Sequence, residues 1–595
     1  MIQSTIQYKD YGNGLLLQNI QLQINKGQRY GLLGPNGCGK STLLRILAGH
    51  DREFSGSLNT EPEQKVVLVS QEADFDAHGD SQTDTLTWMC RHALRLRAEL
   101  RALEVSMAEP DGADPMERLL SRYQRVLDAY ENVGGDQAED KALSLLERLG
   151  LEEAAFTPVQ ALSGGEQGRI RLTAALEQRP DVLLLDEPGN HLDLWGLAWL
   201  EQVLQSFRGT LLMVSHDRRL LEQLCTRTLS LYGTGLENYP GTYSGWRINR
   251  IQTAASQGMS WEADRQHIAR LEQVVKRFQG FARITKDPAW GARLRAKRTQ
   301  LAQKKASATQ RPSLSSTPVD IQFHSQQAGS HTALELRSHE VVRGSRTLVE
   351  QADLFIASGQ RVALAGRNGS GKTSLIDDIL RLGHWDHPTI RIGPTQNIAC
   401  IAQTRKGFDL DQTVLDHFLL LSPCRREEVI SFLRPYRFSA TDLDKTLGQL
   451  SGGQWNLFQL ARASRIGANF LILDEPTNHL DLDARENLEQ ALGDFVGTLL
   501  VVSHDRWFLD SVCQRVVEIR DGRLWDGGLT PAEFLETVAQ EAGQKDYYAG
   551  VTEEGQRREQ ERMAEQAIRQ GQWQAAKKQG KSMAREFRKK NSSSK

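Results

Sequence analysis

Cysteine is scarce in this sequence. The 595 residues include six, spread along the whole length at Cys38, Cys90, Cys225, Cys400, Cys424 and Cys513. No two of them form a CxxC pair, which argues against zinc, an iron–sulfur cluster and a disulfide framework. Runs of about 18 apolar residues, the length that spans a bilayer, are also missing. The opening MIQSTIQYKD is not a signal segment. These absences predict a protein of the reducing cytoplasm.

The chain as a whole has almost no net charge, but some of its segments are strongly basic. The net charge is −2, and the proportions of hydrophobic residues, 39%, and charged residues, 25%, are ordinary for folded domains. Residues 265–305, however, carry 12 Lys/Arg against two acids, and residues 556–595 carry 12 against four. A charge run is often only a solvated face, but so one-sided an excess favours contact with a phosphate backbone.

Two glycine-rich segments predict phosphate loops. GPNGCGKST fills positions 34–42 and GRNGSGKTS fills 366–374, each between a short apolar strand and an apolar helix. The glycines let successive backbone N–H groups face phosphate oxygens, and the helix adds the positive end of its dipole. The lysine is expected to reach the β- and γ-phosphates, and the next hydroxyl to bind Mg²⁺. The candidate ATP-binding residues here are Gly34, Pro35, Asn36, Gly37, Cys38, Gly39, Lys40, Ser41 and Thr42, and Gly366, Arg367, Asn368, Gly369, Ser370, Gly371, Lys372, Thr373 and Ser374.

The repeat extends well beyond these loops. Gln71 and Gln403 stand at the same distance after their loop lysines. The segments LSGGE at 162–166 and LSGGQ at 450–454 also match. The spacing from Ser163 to Asp186 equals the spacing from Ser451 to Asp474, and each aspartate ends an apolar strand. In both halves a histidine follows that aspartate at the same interval. Spacings kept in register at four motifs indicate an internal duplication.

This set of motifs resembles the ATPase domains of the ABC superfamily, and the resemblance covers both halves. It implies that the strand-end aspartate holds Mg²⁺ and that the glutamate after it polarises the attacking water. The histidine would contact the γ-phosphate or orient that glutamate, and the glutamine would sense metal and water. The implied catalytic residues are Glu187, Glu475, His216 and His504. The implied metal-binding residues are Ser41, Gln71, Asp186, Thr373, Gln403 and Asp474.

Two copies in one chain predict a self-contained clamp. The signature of each half, at a helix N-terminus, is an anion site without a lysine of its own. The resemblance implies that each signature closes over ATP held by the opposite loop, so that ATP joins the two domains. The signature residues are Ser163, Gly164 and Gly165, and Ser451, Gly452 and Gly453. We expect a monomer with intramolecular domain pairing.

The predicted fold class is α/β, with two P-loop domains in tandem. We expect ATPase domain 1 at 1–245, a basic helical linker at 246–331, ATPase domain 2 at 332–530 and a basic C-terminal extension at 531–595. The segment from Gln71 to Ser163 in the first half is longer than the corresponding segment from Gln403 to Ser451 in the second half. The excess predicts a helical arm insertion at about 91–132, either a structural hairpin or a contact to a partner. The basic tail is expected to contact RNA.

The linker predicts two antiparallel helices joined by a turn at their tip. An apolar stripe at Trp261, Ile268, Leu271, Val275 and Phe278 has helical spacing. A break at 280–291 separates it from a second helix, and 306–320 reads as flexible linker. The candidate nucleic-acid contacts are Lys276, Arg277, Arg283, Lys286, Arg293, Arg295, Lys297 and Arg298.

The signature, the DEPTNHLD and GTYSGW motifs and the basic linker narrow the resemblance to the ABC-F family. The resemblance implies a factor without a membrane domain that binds two ATP with Mg²⁺ and associates with the ribosome. Its linker would contact tRNA and rRNA near the exit and peptidyl sites, modulating translation, rescuing stalled ribosomes or protecting them from antibiotics. Two alternatives stay open: the energising ATPase subunit of a transporter, and a DNA-associated repair ATPase.

Two positions depart from the repeat. The resemblance implies that Tyr11, upstream of Lys40, stacks on adenine, whereas Arg343 stands at the same distance before Lys372. A guanidinium can also stack on a base. Gly189 stands where the second half has Thr477, and we expect it to loosen the turn and to make the two sites unequal.

Overall fold

The computed structural model describes sixteen stretches of the chain. They are residues 1–10, 15–61, 64–70, 83–108, 116–232, 235–253, 256, 268–269, 271–276, 279, 288–307, 331–402, 405, 407–422, 424–478 and 480–544.

The first half contains a mainly parallel sheet and a smaller antiparallel one. Its strands are β1 Ile2–Asp10, β2 Leu15–Ile24, β3 Arg29–Leu33, β4 Ser55–Thr60, β5 Val66–Val69, β6 Val182–Asp186, β7 Thr210–Val214, β8 Arg227–Ser230 and β9 Glu237–Tyr239. The parallel sheet has the order β5-β6-β7-β3-β8-β9, in which only β9 runs antiparallel, and the other sheet has the order β2-β1-β4.

The second half repeats this architecture. Its strands are β10 Thr332–Arg343, β11 Arg346–Ala357, β12 Arg361–Gly366, β13 Ile390–Ile392, β14 Ile398–Ala402, β15 Phe470–Asp474, β16 Thr498–Val502, β17 Arg515–Arg520 and β18 Arg523–Trp525. The sheet orders are β14-β15-β16-β12-β17-β18 and β11-β10-β13. The matching strand orders confirm the predicted α/β class and the internal duplication.

Helices cover both faces of each parallel sheet. In the first half they are α1 Lys40–Leu47, α2 Thr85–Ala108, α3 Met116–Asn132, α4 Ala138–Arg148, α5 Gly164–Glu177, α6 Leu194–Ser206 and α7 Arg218–Leu224, followed by α8 at 243–253 and α9 Pro288–Ser307. In the second half they are α10 Lys372–Leu382, α11 Val414–Leu421, α12 Arg426–Leu433, α13 Gly452–Arg465, α14 Leu482–Gly493, α15 Arg506–Val512 and α16 Pro531–Gln544. Within the described part of the chain, no helix is both long and apolar enough to span a membrane.

The buried strands place the functional residues at one sheet edge. Every residue of β6 is buried, as expected for a parallel strand covered on both faces. Leu184 packs in the core that contains α1 and the antiparallel sheet, and Leu183 packs in the core that contains α5, α6 and α7. Because the chain leaves this apolar strand at Asp186, the first polar side chains emerge at the carboxyl edge of the sheet.

Helices α2 and α3 pack against each other, and the arm that we predict at about 91–132 falls on them and on residues 109–115, which lie outside the described residues. Leu100 and Tyr130 lie in their shared apolar cluster, and the Arg122 guanidinium donates to Glu99 at 2.7 Å. This cluster is small and lies apart from the cores of the parallel sheets. The two helices therefore have a small apolar cluster of their own.

The second linker helix begins earlier than we predicted. The helix α9 begins at Pro288, inside the segment 280–291 that we expected to be a break, because proline is well suited to the first position of a helix. Residues 271–276 are helical, and Leu271 and Val275 of the predicted stripe are buried. The other residues of that stripe, except Ile268, lie outside the described residues, as does most of the tip.

The two halves pack through their C-terminal helices. The α16 residue Phe534 packs edge-on against Trp195 of α6, whose indole N–H donates to Glu541 at 2.9 Å. On the other side, α8 faces α14 through charged groups. The helix α16 belongs to the segment assigned to the basic extension, yet its 14 residues carry no Lys or Arg. The basic tail itself, 556–595, lies outside the described residues.

Candidate functional site

The two phosphate loops have the same backbone geometry. Gly39 and Gly371 precede helices α1 and α10 with left-handed φ angles of 99° and 102°. Such angles favour glycine. Lys40 Nζ donates to the Gly34 carbonyl at 2.8 Å, and Lys372 Nζ donates to the Gly366 carbonyl at 2.8 Å. Each lysine is thus held, nearly buried, in the mouth of its own loop.

Next to each loop lies a pair of hard oxygen donors. Thr373 Oγ1 lies 3.5 Å from Asp474 Oδ1, and Ser41 hydrogen-bonds Asp186 in the same arrangement. Burial raises the pKa of both aspartates, although the hydroxyl partners oppose the rise. Asp186 Oδ1 is buried without a hydrogen-bond partner among the described residues. Hydroxyl and carboxylate oxygens suit Mg²⁺, so the residues present fit that ion.

A glutamate follows each aspartate in a strained conformation. Glu187 and Glu475 have φ angles of 50° and 49°, which non-glycine residues rarely adopt outside functional sites. Their backbone N–H groups donate to the Val214 and Val502 carbonyls, both at 2.9 Å. The strained turn therefore lifts the carboxylate off the strand end toward the histidine of the neighbouring loop.

Each glutamate pairs with the predicted histidine. His216 Nε2 lies 3.3 Å from Glu187 Oε1, and His504 Nε2 lies 3.3 Å from Glu475 Oε1. The His216 ring also lies 3.2 Å from the Asn36 side-chain oxygen of the phosphate loop. In the first site the histidine therefore bridges the carboxylate and the loop.

Burial shifts the pKa of each glutamate upward and the pKa of each histidine downward. It raises the pKa of Glu187 to about 7, against the nearby positive charges of Lys40 and Arg485. It raises the pKa of Glu475 to about 8, with a further contribution from Asp474. Burial, together with Lys372, lowers the pKa of His504 to about 4, and the pKa of His216 is also well below its usual value. A neutral imidazole thus faces a carboxyl group of raised basicity, and the ionised form of that group can accept a proton from water.

Both halves line the first site. A cavity of about 570 Å³ contains Lys40, Asp186, Glu187 and His216 from the first half. From the second half it is lined by Thr477, Asn478, Arg485, His504 and Asp505. A second cavity of about 680 Å³ brings Pro35 and Asn36 together with Ser451, Gly452 and Gly453. The structure thus places the second signature opposite the first phosphate loop.

The second loop faces the first half in the corresponding way. The Asn368 backbone N–H donates to Asp193 Oδ2 at 3.2 Å, and its side chain donates to the His191 carbonyl at 3.0 Å. The His191 side chain in turn lies against Gly164, where an added Cβ would sit 3.0 Å from it. Gly164 has to be small because the ring of His191, in the turn that contacts the opposite loop, packs on it.

Each signature serine caps its helix. Ser163 Oγ accepts from the Glu166 N–H, and the Glu166 carboxylate accepts from the Ser163 N–H. Ser451 and Gln454 form the same reciprocal arrangement. These capping boxes fix the signature turn and direct the helix N-terminus toward the opposite loop.

Several predicted site residues cannot be placed. Tyr11, Gln71, Gln403, Arg277, Arg283 and Lys286 lie outside the described residues. Arg343 is described, and its guanidinium donates to the buried Asp378 carboxylate at 3.0 Å and to the Ser374 carbonyl at 2.9 Å. These bonds tie Arg343 to α10, so stacking on a base would require it to leave them.

Gly189 is the position that we expected to loosen the turn and to make the two sites unequal, and this stays a prediction. Its φ is not left-handed, so the turn does not need glycine for its conformation. An added Cβ would instead lie 2.9 Å from Leu197 Cδ2. In the second half, Thr477 occupies this place and its hydroxyl lies 3.2 Å from Ser503 Oγ. Gly189 therefore makes room for Leu197 to fold inward.

Replacing Gly189 with threonine is expected to destabilise the first domain by about 1–3 kcal/mol, because the new side chain overpacks against Leu197. Urea unfolding would measure the change, and Leu197→Ala should relieve it. Gly235→Thr is the control, since nothing lies within 4 Å of a Cβ there. An unaltered midpoint for Gly189→Thr would contradict this packing argument.

Sequence reasoning missed two arginines of the second half that line the first site. Arg485 borders the cavity with Glu187, and Arg437 borders the cavity with Ser451. Arg437 has a left-handed φ of 64°, the same value as Gly150 in the first half. Aligning the two DEPxNHLD segments would have revealed Arg485, because its counterpart in the first half is Leu197.

The linker cations that the structure describes lie on the helical stretch 271–276 and on the 20-residue helix α9. Lys276 ends the stretch 271–276, and Arg293 lies on α9. Arg295 and Arg298 on α9 are exposed, and Lys297 donates to Gln300 at 2.8 Å. None of these last three cations forms an ion pair with a described residue. The helix α9 carries six Lys/Arg and no acid, so its own charge is entirely positive.

A family comparison agrees with the two-site geometry. The model of the ABC transporter family matches residues 17–190 and 349–478, one segment in each half. ABC transporter F family member 5 of Arabidopsis thaliana is 30% identical over 529 residues, which cover 87% of this chain and 75% of that protein. The energy-dependent translational throttle protein EttA of Escherichia coli K12 is 31% identical over 516 residues, covering 85% and 89%.

Among solved structures, a similar fold occurs in the archaeal ribosome recycling factor aABCE1, crystallised with the ribosomal stalk protein aP1. The TM-score is 0.54 at 18% identity, over 90% of this chain and 92% of that one. This likeness shows that the tandem fold is shared.

Proposed function

This chain belongs to the ABC-F family of tandem ATPases and hydrolyses ATP, and on that premise we propose that it is a ribosome-associated factor. Closure of the two domains on ATP and Mg²⁺ brings the basic linker against tRNA and rRNA near the exit and peptidyl sites, and hydrolysis releases it. The consequence is modulation of translation or protection of the ribosome from antibiotics. EttA is called a translational throttle protein, and its match covers 85% of this chain. This similarity supports a role in translation.

The observation that carries this proposal is the attachment of the linker's first helix to the second domain. Arg250 of α8 donates to Asp483 of α14 at 3.3 Å, and its guanidinium lies 3.8 Å over the Tyr232 ring. Arg247 pairs with Glu486, and the Tyr243 hydroxyl donates to the same carboxylate at 3.1 Å. The linker is thus anchored to the domain opposite the one from which it emerges.

This anchor couples the linker to the nucleotide. Asp483 lines the cavity that holds Pro35, Asn36 and the second signature. When the second domain closes on ATP at the first phosphate loop, α14 carries Asp483 and Glu486 with it. The arginines of α8 follow, so the direction of the linker depends on the state of the site.

The one-sided positive charge of α9 supports a nucleic-acid surface. Exposed basic side chains on a helix without acids attract phosphates and release counterions on binding. A transporter subunit would have no use for such a helix. DNA would offer the same phosphates, and the test below therefore uses ribosomes directly.

Co-sedimentation with 70S ribosomes tests the proposal. The double variant Glu187→Gln/Glu475→Gln with ATP is expected to pellet with ribosomes, whereas the wild type with ADP stays in the supernatant. Adding Arg295→Glu, Lys297→Glu and Arg298→Glu should weaken retention and lower its salt dependence, by about one unit of log–log slope per lost phosphate contact.

The matched control reverses three exposed arginines on the second domain, Arg425, Arg426 and Arg434, in the same double-variant background. The net charge change is identical, so retention of the control beside loss of the linker variant assigns the effect to α9. Failure of the double variant to pellet while it still binds ATP would exclude the ribosome as the partner.

A further inference from the structure

A buried set of charges connects the two domains between the ATP sites. Arg218 of the first domain pairs with Glu489 of the second, its Nη1 at 2.9 Å. Arg506 of the second domain donates to Glu201 of the first at 2.6 Å and to Asp217 at 3.2 Å. Each arginine follows the histidine–aspartate pair of its own domain, so the two catalytic-histidine loops meet here about a pseudo-twofold axis.

Arg485 breaks this symmetry. Its Nη1 donates to the backbone carbonyl of His216 in the opposite domain at 3.1 Å and to Asp505 of its own domain at 2.9 Å. Its Nε donates to the Leu480 carbonyl at 3.1 Å. The counterpart in the first domain, Leu197, is an apolar core residue that folds over Gly189. Leu197 has no donor group, so among the described residues the first domain makes no counterpart of the bond from Arg485 to the His216 carbonyl, although Arg218 lies 3.8 Å from Asp505 beside His504.

The bonds of Arg485 join the hydrolytic groups of the two sites. At one end, the carbonyl that it binds belongs to His216, whose ring contacts Glu187. At the other end, Asp505 follows His504 directly and caps α15 by accepting from the Trp507 and Phe508 N–H groups. The Arg485 side chain is 12% exposed and that of Asp505 is 4% exposed, so the link lies away from solvent, where its hydrogen bonds are strong.

We propose that Arg485 is a positioning residue that acts across the domain interface and mainly on the first site. It holds the His216 backbone so that the imidazole faces Glu187 and the phosphate loop, and it does so only when the second domain is closed. Hydrolysis at the first site thereby requires closure more strictly than hydrolysis at the second site does. The inference rests on the ATPase activity and not on ribosome binding.

Steady-state ATP hydrolysis in single-site backgrounds tests the proposal. Glu475→Gln leaves turnover to the first site, and Glu187→Gln leaves it to the second. Arg485→Leu, which copies the residue of the first domain, should lower kcat about tenfold in the first background, as loss of a supporting hydrogen bond commonly does. The KM for ATP should change by less than about twofold, and the loss of kcat in the second background should be several times smaller.

Two further variants separate positioning from loosening of the interface. Gln202→Leu removes another interdomain side-chain bond, the one that Gln202 donates to the Ala539 carbonyl at 3.1 Å, and should affect both backgrounds equally because neither residue lines an ATP-site cavity. Arg485→Lys keeps the charge and one donor group and should restore part of the first-site kcat. Equal losses at both sites with Arg485→Leu, or a loss expressed in KM, would overturn the proposal, as would the absence of any rescue by lysine.

Discussion

ATP turnover should fall by about 10²–10⁴-fold in the Glu187→Gln/Glu475→Gln variant, the range that a positioned general base supplies. Each carboxylate is buried beside a neutral histidine, and burial gives Glu187 a pKa of about 7 and Glu475 a pKa of about 8. Glutamine keeps the shape and the bond to the histidine loop but cannot accept the proton of the attacking water. Pre-steady-state phosphate release would measure the change.

Nucleotide binding should survive this double substitution. We expect the phosphate loop to hold ATP with backbone N–H groups and with Lys40 or Lys372, and neither glutamate belongs to the loop. Binding of a fluorescent ATP analogue should therefore remain within a fewfold of wild type. Glu117→Gln/Glu536→Gln, two exposed glutamates with the same chemical change, is the control. A residual rate within tenfold of wild type would mean that another group accepts the proton. The neighbouring histidine, His216 or His504, would then be the first candidate.

The fold was predictable because its signals are local and occur twice. An apolar run that ends in Asp186 or Asp474 identifies a buried parallel strand, and the constant spacings to Lys40 and Lys372 require the same sheet order in both halves. The helix N-termini at Ser163 and Ser451 could be predicted because each serine is followed three residues later by Glu or Gln, the pattern of a capping box.

The unpredicted features depend on contacts distant in sequence. The role that we infer for Arg485 depends on its hydrogen bond to the carbonyl of His216, which lies 269 residues away in the sequence. Hydrophobic periodicity does not reveal a contact of this kind. The strained φ of Glu187 follows from the bond of its N–H to a neighbouring strand. The close contact between Gly189 and Leu197 is likewise not evident from the sequence, because it forms only when helix α6 is folded beside the turn.

The second large effect concerns the ion pair between Arg218 and Glu489. Removing one partner of a buried pair leaves the other charge without compensation, which costs about 3–5 kcal/mol. Arg218→Met should therefore lower the midpoint of urea unfolding clearly, because Glu489 would stay desolvated at the domain interface. Tryptophan fluorescence would follow the transition, with Trp507 beside Arg218 as a local reporter.

Removing both charges should reverse most of that loss. In Arg218→Met/Glu489→Leu the interface keeps its volume and has no stranded charge, while Asp505 keeps Arg485 at 2.9 Å. Arg426→Met serves as control, since its pair with Asp444 is exposed and such pairs contribute about 0–1 kcal/mol. If the double variant were as unstable as Arg218→Met, direct attraction between the two charges would be essential to the interface. If it recovers, the instability of Arg218→Met comes from the unpaired Glu489 carboxylate, and the two buried surfaces close on an apolar pair as well as on an ion pair.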